Sequence, residues 1–542
     1  MRENMFFSRT QQLSILEKRI RDLKDGYRQN IAIIGEEHVG KTSIVFKFLQ
    51  QFCDNRIIPV YLEIRNETLT CLCKRFIAVL LYNFLLNSEM PLKEDLEFLI
   101  SKSSFYIPKT IEKVKTLLLT LSKKKKDMVF TELLALAETI HEETGKHCVI
   151  IFDEFHNLET TGVKKIFAEW AKVLILQKST LYIIISSLKH KARGILSKDL
   201  SLLFGNFEII TIEPFDIKTS HDYLTSSLHS IAIQDSLKNF IVNFTGGCPL
   251  YLKVISEMLI KSPQASLVNI LEELLFDSSG LLFQNFSNYF NRFQGSASKN
   301  EQQAILFMIA DGHNKIKDIA HLLRKTKKEL SNSINALLEL DTISQSGDFL
   351  KINDRVLGFW LKFVYQERLN SLTFDAKNQK NLFRHKIDSL IREFIATTKK
   401  PVSERMMELL HLFQDDQIQI ERKKLRLNHF REVKFVEFKN CNLTEGLLCR
   451  SEESIWVIAF KYDALTEEDI GEFAKECKKF RHKLQQKIII TFQDVDANSR
   501  LKALQEKIWT WDINNVNHVL DLFSKQRITV AQTTLSTEPL RI

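Results

Sequence analysis

Short, almost wholly apolar runs recur along the first part of the chain, at 31–34, 57–62, 148–152, 182–185 and 209–212. A run too short for a helix and apolar at nearly every position reads as a strand buried on both faces. The stretches between them carry apolar residues at helical spacing. The first, 10–29, sets Leu13, Leu16, Ile20 and Leu23 on one face. Strands alternating with helices predict a parallel sheet covered on both sides, an α/β domain over residues 1–215.

Beyond Pro214 the pattern turns helical over 216–293, broken by Gly246-Gly247 and Pro249. A polar stretch at 294–299 reads as a connector. Residues 300–355 give three helices, at 305–309, 316–323 and 330–340, and then a hairpin turning at Ser346-Gly347. This is the order of a winged helix-turn-helix, assigned to 300–365. The chain stays helical to about Phe413. Strands near 433–439, 446–450 and 455–461, a helix from Glu467 and a strand at 488–491 form a separate mixed domain, 375–530. The lysine run 123–126 reads as a solvated loop, and no internal repeat is visible.

Composition narrows the class. A chain of 542 residues with 44% apolar and 26% charged residues holds several folded domains and is neither disordered nor fibrous. Scarce Gly (16) and Pro (8) disfavour an all-β fold, and 39 Phe predict aromatic-rich cores. A net charge of +9 permits nucleic-acid contact without demanding it. The eight Cys form no CxxC pair, which excludes zinc ribbons and thioredoxin-like chemistry. The opening Met1-Arg2-Glu3-Asn4 lacks a signal-peptide pattern, and no stretch approaches 18 uninterrupted apolar residues. The expectation is a soluble, cytoplasmic protein without a membrane span.

The sharpest chemistry is Gly35-Glu36-Glu37-His38-Val39-Gly40-Lys41-Thr42-Ser43, which satisfies GxxxxGK[ST] after a strand and before a helix at 43–50. Such a loop wraps phosphates. Its glycines permit the turn, its N–H groups and the helix N-terminus face the anion, Lys41 reaches the β- and γ-phosphates and the Thr42 hydroxyl ligates Mg²⁺. A second apolar strand, 148–152, ends in Asp153-Glu154. Asp153 would hold Mg²⁺ and Glu154 would orient or deprotonate the attacking water, as in a Walker B motif. A third strand ends at Ser186-Ser187, where a polar side chain can contact the γ-phosphate or the water. Ser187 is the choice and Ser186 the alternative. ATP is favoured over GTP because Asn314-Lys315-Ile316-Lys317 fails the NKxD pattern and lies outside the α/β domain.

In order along the chain, these segments resemble the archaeal-type ATPase family within the AAA+/STAND-like P-loop ATPases. Phe6-Phe7-Ser8-Arg9 with Leu13 and Leu16 is similar to its F-x-G-R-x-x-E-L signature, with Ser8 for Gly and Gln12 for Glu. Thr245-Gly246-Gly247-Cys248-Pro249 is similar to the G-G-x-P segment of its helical lid, which assigns 216–293 as the lid. The segment from Arg355 to Val364 resembles its L-x-F-W-x-x-F-V segment. One departure is Leu203-Phe204-Gly205-Asn206, where the family carries Arg after Gly. The resemblance then implies slow hydrolysis or another arginine finger, with Arg193 a candidate.

The resemblance also implies a C-terminal restriction-endonuclease-like domain. Its chemistry needs an acid and a Glu-x-Lys on adjacent strands. The strand before the helix reads Ala459-Phe460-Lys461, with Ala in the acid's place, while Glu437-Phe438-Lys439 lies one strand early. The domain reads as catalytically degenerate. Candidate DNA contacts on the recognition helix are Lys325, Lys327, Lys328, Ser331 and Asn332, cations for phosphate and polar groups for base edges. The functional expectation is a P-loop ATPase coupling ATP and Mg²⁺ to a double-stranded-DNA-binding winged helix, with oligomers compatible. The alternatives are a nucleotide-gated DNA-binding regulator with negligible turnover and a nuclease effector.

Overall fold

The computed structural model describes residues 6–52, 54–86, 92–122, 128–201, 207–370, 375–420, 423–438, 443, 445–480 and 482–529. The expectations at residues 1–4, 123–126, 203–206 and Lys439 lie outside the described residues. The described cysteines are free thiols. The chain forms two compact units, Met1–Pro214 with Glu339–Asp341, and Phe215–Leu338 with Thr342–Ile542.

In the first unit, β1 (Ile31–Gly35), β2 (Ile57–Glu63), β3 (His147–Asp153), β4 (Thr180–Ser186) and β5 (Glu208–Ile212) build one sheet in the order β2-β3-β4-β1-β5. Every pairing is parallel. Alternate residues serve opposite faces, because side chains along a strand alternate. Ile31, Ile33, Ile151, Ile183 and Ile185 pack with helices Thr10–Lys24 and Lys41–Gln51. Ala32, Ile34, Val60, Ile150, Phe152 and Ile184 pack with the helices between β2 and β3 and with Trp170. Two covered faces explain why the runs are apolar almost throughout.

The first helix stops at Lys24, short of the predicted 29. Gly26 turns at φ +86°, and Tyr27 N–H bonds the Asp22 carbonyl at 2.8 Å, closing the last turn. Helices Leu69–Leu86, Leu96–Ser103, Pro108–Ser122 and Val129–Thr144 fill the interval between β2 and β3. Leu69–Leu86 is long and apolar enough by length and composition to cross a membrane, with mean hydropathy 1.7. The single-run test missed it because Lys74, Arg75 and Asn83 interrupt the run. Half of it is buried, with Leu72, Phe76, Leu80 and Phe84 in the core.

The second unit begins with helices from Ile217–Ser227 to Leu281–Phe290. One apolar cluster runs from Leu224 through Phe290, Ile305 and Trp360 to Phe394. The segments 216–293 and 300–365 therefore share a core with helix Ala376–Thr398. The connector is shorter than expected: helix Ala297–Ala310 starts inside it, with the Ser296 hydroxyl accepting from Lys299 N–H at 3.4 Å. Helices Ile316–Leu322 and Lys327–Glu339 follow, then the antiparallel hairpin β6 (Ile343–Ser346) and β7 (Phe349–Ile352).

An antiparallel hairpin that the sequence reading missed, β8 (Asp416–Ile420) and β9 (Lys423–Leu427), follows helix Val402–Leu410. Its alternation is plain afterwards: Ile418, Ile420, Leu425 and Leu427 are buried while Gln417, Gln419, Lys424 and Arg426 are exposed. The last sheet has the order β10-β11-β12-β13-β14, formed by Glu432–Glu437, Glu445–Arg450, Ile455–Lys461, Leu484–Thr491 and Trp509–Trp511. Its first three strands are antiparallel and the remaining pairings parallel.

Candidate active site

β1 ends where its neighbour is closest. A Cβ on Gly35 would stand 2.3 Å from the Ile212 carbonyl oxygen of β5, so only glycine fits there. The chain then leaves the sheet through Glu36, Glu37 and His38, and His38 adopts φ +66°. Gly40, at φ +94°, starts helix Lys41–Gln51, two residues before the predicted 43. Val39 is buried and anchors the loop in the core, while Glu37, His38 and Ser43 are exposed. Lys41 is buried, and its Nζ donates to the Glu36 carbonyl at 2.6 Å. Burial lowers the Lys41 pKa, against the opposing charges of Glu154 and Asp153.

The two motifs meet directly. Thr42 Oγ1 donates to Asp153 Oδ2 at 2.7 Å across 111 residues of sequence. Tyr61, on β2, donates to the same oxygen at 2.9 Å. Burial and the Asp153 charge keep the Tyr61 phenol protonated well above its usual range. Sequence reasoning missed Tyr61. The signal was there, a lone polar-tipped residue in a buried strand whose neighbour is the acid-bearing strand. Thr42 and Asp153 converge as two hard oxygen donors, the set Mg²⁺ takes alongside phosphate and water. The residues thus fit the ion. Among the described residues no cluster of three or more His, Cys, Asp or Glu side chains forms an all-protein metal cage.

Glu154 follows in a left-handed conformation, φ +51°, uncommon for a non-glycine residue and typical of functional positions. Its Oε2 accepts from Ser187 N at 3.0 Å and from Ser187 Oγ at 2.8 Å. Burial raises the Glu154 pKa, while the two Ser187 bonds and Lys41 pull it back. Ser186 points elsewhere, with its hydroxyl 2.9 Å from His156 Nδ1. His156 Nδ1 also lies 3.4 Å from Glu154 Oε2. Burial, with Lys191 and Lys41 adding to it, pushes the His156 pKa down to about 4, so the ring is neutral near pH 7. Lys189 was also missed. It opens helix Lys189–Lys198 directly after β4, and its Nζ pairs with Glu36 Oε1 at 2.7 Å. Burial opposes the Lys189 charge, but Glu36 and Glu213 outweigh it and raise its pKa.

The predicted DNA contacts Lys325, Lys327, Lys328, Ser331 and Asn332 are all exposed. Lys327 and Lys328 lie inside their helix, not before it. Thr326 and Glu329 cap each other, Glu329 Oε2 accepting from Thr326 N at 2.7 Å and Thr326 Oγ1 from Glu329 N at 3.3 Å. Lys325 is ion-paired with Glu301. The hairpin predicted as a wing has an occupied tip. Asp348 N–H donates to the Gln417 carbonyl at 2.9 Å, Gln417 N–H to Asp348 Oδ2 at 2.9 Å, and Gln419 N–H to Ser346 Oγ at 3.1 Å.

In the last sheet, Ala459 pairs with Gly446. Lys461 is buried and spends its charge on Asp469 at 3.1 Å and Asp463 at 3.2 Å. Glu437 sits on β10 at the sheet edge, opposite Glu445.

No protein-family model and no curated protein matches the sequence. Among solved structures, the chain is similar to a Walker-type ATPase of Pyrococcus abyssi, 20% identical, over 66% of this chain and 97% of that one, with TM-score 0.49. It is similar to the ORC2 protein of Aeropyrum pernix in its ADPNP–ADP complexes, 10% identical over 73% and 97% of the two chains, TM-score 0.41. The ORC1 protein of the same organism in complex with DNA is 12% identical over 66% and 92%, TM-score 0.34. The strand order β2-β3-β4-β1-β5 and the loop after β1, rather than these likenesses, give the first unit the P-loop NTPase fold.

Proposed function

We propose that this chain is a magnesium-dependent ATPase. The observation that carries the reading is the Thr42–Asp153 hydrogen bond, which joins the two motifs at one point beside Lys41 and Glu154. The loop from Gly35 to Thr42 cradles the triphosphate with its N–H groups, and Lys41 neutralises the β- and γ-oxygens. Thr42 and Asp153 would hold Mg²⁺, which when bound would supply charge neutralisation at those oxygens. Glu154 takes a proton as water oxygen bonds to the γ-phosphorus and the bridging oxygen leaves with ADP. Ser187 positions Glu154 through its N–H and hydroxyl. Turnover is slow, or another arginine serves as the finger, Arg193 being exposed on the helix after β4. Phosphate release from ATP in Mg²⁺ tests the reading. Turnover suppressed by EDTA is expected, and none in either condition contradicts it.

Helices Ile316–Leu322 and Lys327–Glu339 with the β6–β7 hairpin read as a winged helix that binds duplex DNA. With the hairpin tip packed on β8, contact falls to the exposed face of Lys327, Lys328, Ser331 and Asn332. Lys327→Ala with Lys328→Ala is expected to weaken duplex binding uniformly across sequences. The slope of log K against log salt should fall by about 2 in magnitude, near one per phosphate contact. An unchanged slope in a fluorescence-anisotropy titration would move the interface elsewhere. The last sheet reads as a restriction-endonuclease-like domain without nuclease activity, since its Lys461 is neutralised and Ala459 replaces the acid. The free thiols fit a reducing, cytoplasmic setting.

A further inference from the structure

A phosphate-binding loop gains nothing from carboxylates, yet this one carries two, Glu36 and Glu37, against the single positive charge of Lys41. The structure compensates one of them. Lys189 Nζ lies 2.7 Å from Glu36 Oε1, while Lys41 Nζ lies 2.6 Å from the Glu36 carbonyl oxygen. Two ammonium groups therefore converge on one residue of the loop. One belongs to the motif and the other comes from the strand end that also carries Ser187. The Lys189 side chain is 20% exposed and that of Glu36 25%, so the pair is sheltered without being sealed. The Lys189 stem is flexible and its three N–H donors rotate freely. The Glu36 carboxylate can turn to water when released.

We propose that Lys189 is a second phosphate-binding lysine, and that Glu36 holds its place: the ammonium leaves the carboxylate for the terminal phosphate of a nucleoside triphosphate. The exchange trades one charge-assisted bond for another, and it occurs only when a γ-phosphate is present. ADP leaves the Lys189–Glu36 pair intact. The pair thus gauges triphosphate against diphosphate from outside the motif. This rests on the nucleotide-site reading above.

Calorimetric titration of the full chain with Mg²⁺ and either ADP or a non-hydrolysable ATP analogue tests it. Lys189→Ala and Lys189→Gln should each weaken the triphosphate analogue about 3- to 10-fold, the surplus of a bond to the more highly charged phosphate over the bond to Glu36 that it replaces, and change ADP far less. Glu36→Gln should tighten the triphosphate analogue, because Lys189 is then released in advance. The deciding variant is Glu36→Gln with Lys189→Ala. If Lys189 touches phosphate, the double variant stays as weak as Lys189→Ala. Recovery to wild-type affinity would mean that Lys189 only neutralises Glu36, and would overturn the proposal. So would equal losses for ADP and the triphosphate analogue. Absence of nucleotide binding by the wild-type chain is a separate result, which overturns the site reading itself.

Discussion

Glu154→Gln is expected to lower steady-state ATP hydrolysis by about 10²- to 10⁴-fold, the usual contribution of a positioned general base. Nucleotide affinity should change little, because Gln keeps the size of the side chain and can still accept from Ser187. The effect belongs in kcat, which separates it from damage to the loop. Glu154 is suited to this role by its surroundings. Its left-handed backbone turns the side chain back toward the strand ends, where the Ser187 N–H at 3.0 Å and hydroxyl at 2.8 Å hold one oxygen. Phosphate-release kinetics over a range of ATP concentrations check it. A variant with full kcat would show that another group handles the proton.

The largest expected effect on stability lies in the second unit. Asp521 is buried with three cations on it, Lys351 at 2.6 Å, Arg355 at 2.7 Å and Arg527 at 2.6 Å. Burial alone would raise its pKa, but Arg355, Lys351 and Arg527 outweigh that and hold it far below the usual carboxylate range. Asp521→Asn removes the buried anion that three partly buried cations share. The expected loss is about 3–5 kcal/mol, as for a broken buried pair. The pH dependence follows from the sign of the shift. A depressed carboxylate contributes its stability above its unfolded pKa of about 3.9, and loses it as pH falls toward the folded value. The gap between wild type and Asp521→Asn should therefore be full at pH 7 and narrow below about pH 4. Urea midpoints read by Trp fluorescence measure it. An unchanged midpoint at pH 7 would show that the cluster contributes nothing net.

The sequence carried the first unit well because its signals are local. Continuous apolar runs can hardly be anything but strands covered on both faces, and GxxxxGK[ST] states its own geometry. Strand placement also pointed to the end of β4, which lies between the strands that bear the two motifs, with Ser187 the choice and Ser186 the alternative. Tyr61, for all that its polar tip marks it in a buried strand, and Lys189 were harder to find for the opposite reason. Their partners Asp153 and Glu36 stand 92 and 153 residues away, and neither belongs to a fixed spacing. The start of helix Lys327–Glu339 was misplaced because the lysines drew attention away from the Thr326–Glu329 capping box. The β8–β9 hairpin was passed over because five-residue strands with polar outer faces look like loop until their alternation is counted. Its consequence was larger than its size. It covers the tip of β6–β7, where a backbone Cβ on Gly347 would stand 2.1 Å from the Gln417 carbonyl oxygen. The turn read as the tip of the wing is thereby packed against β8.

The central claim is that Lys41, Thr42 and Asp153 form one magnesium-dependent triphosphate site. Titrating the purified chain with ATP in a calorimeter, with Mg²⁺ and again with EDTA, tests it most directly. The account predicts saturable one-site binding that weakens markedly when the metal is withdrawn and disappears in Lys41→Ala. Absence of heat from the wild-type chain in Mg²⁺, or binding undiminished by Lys41→Ala, would contradict it.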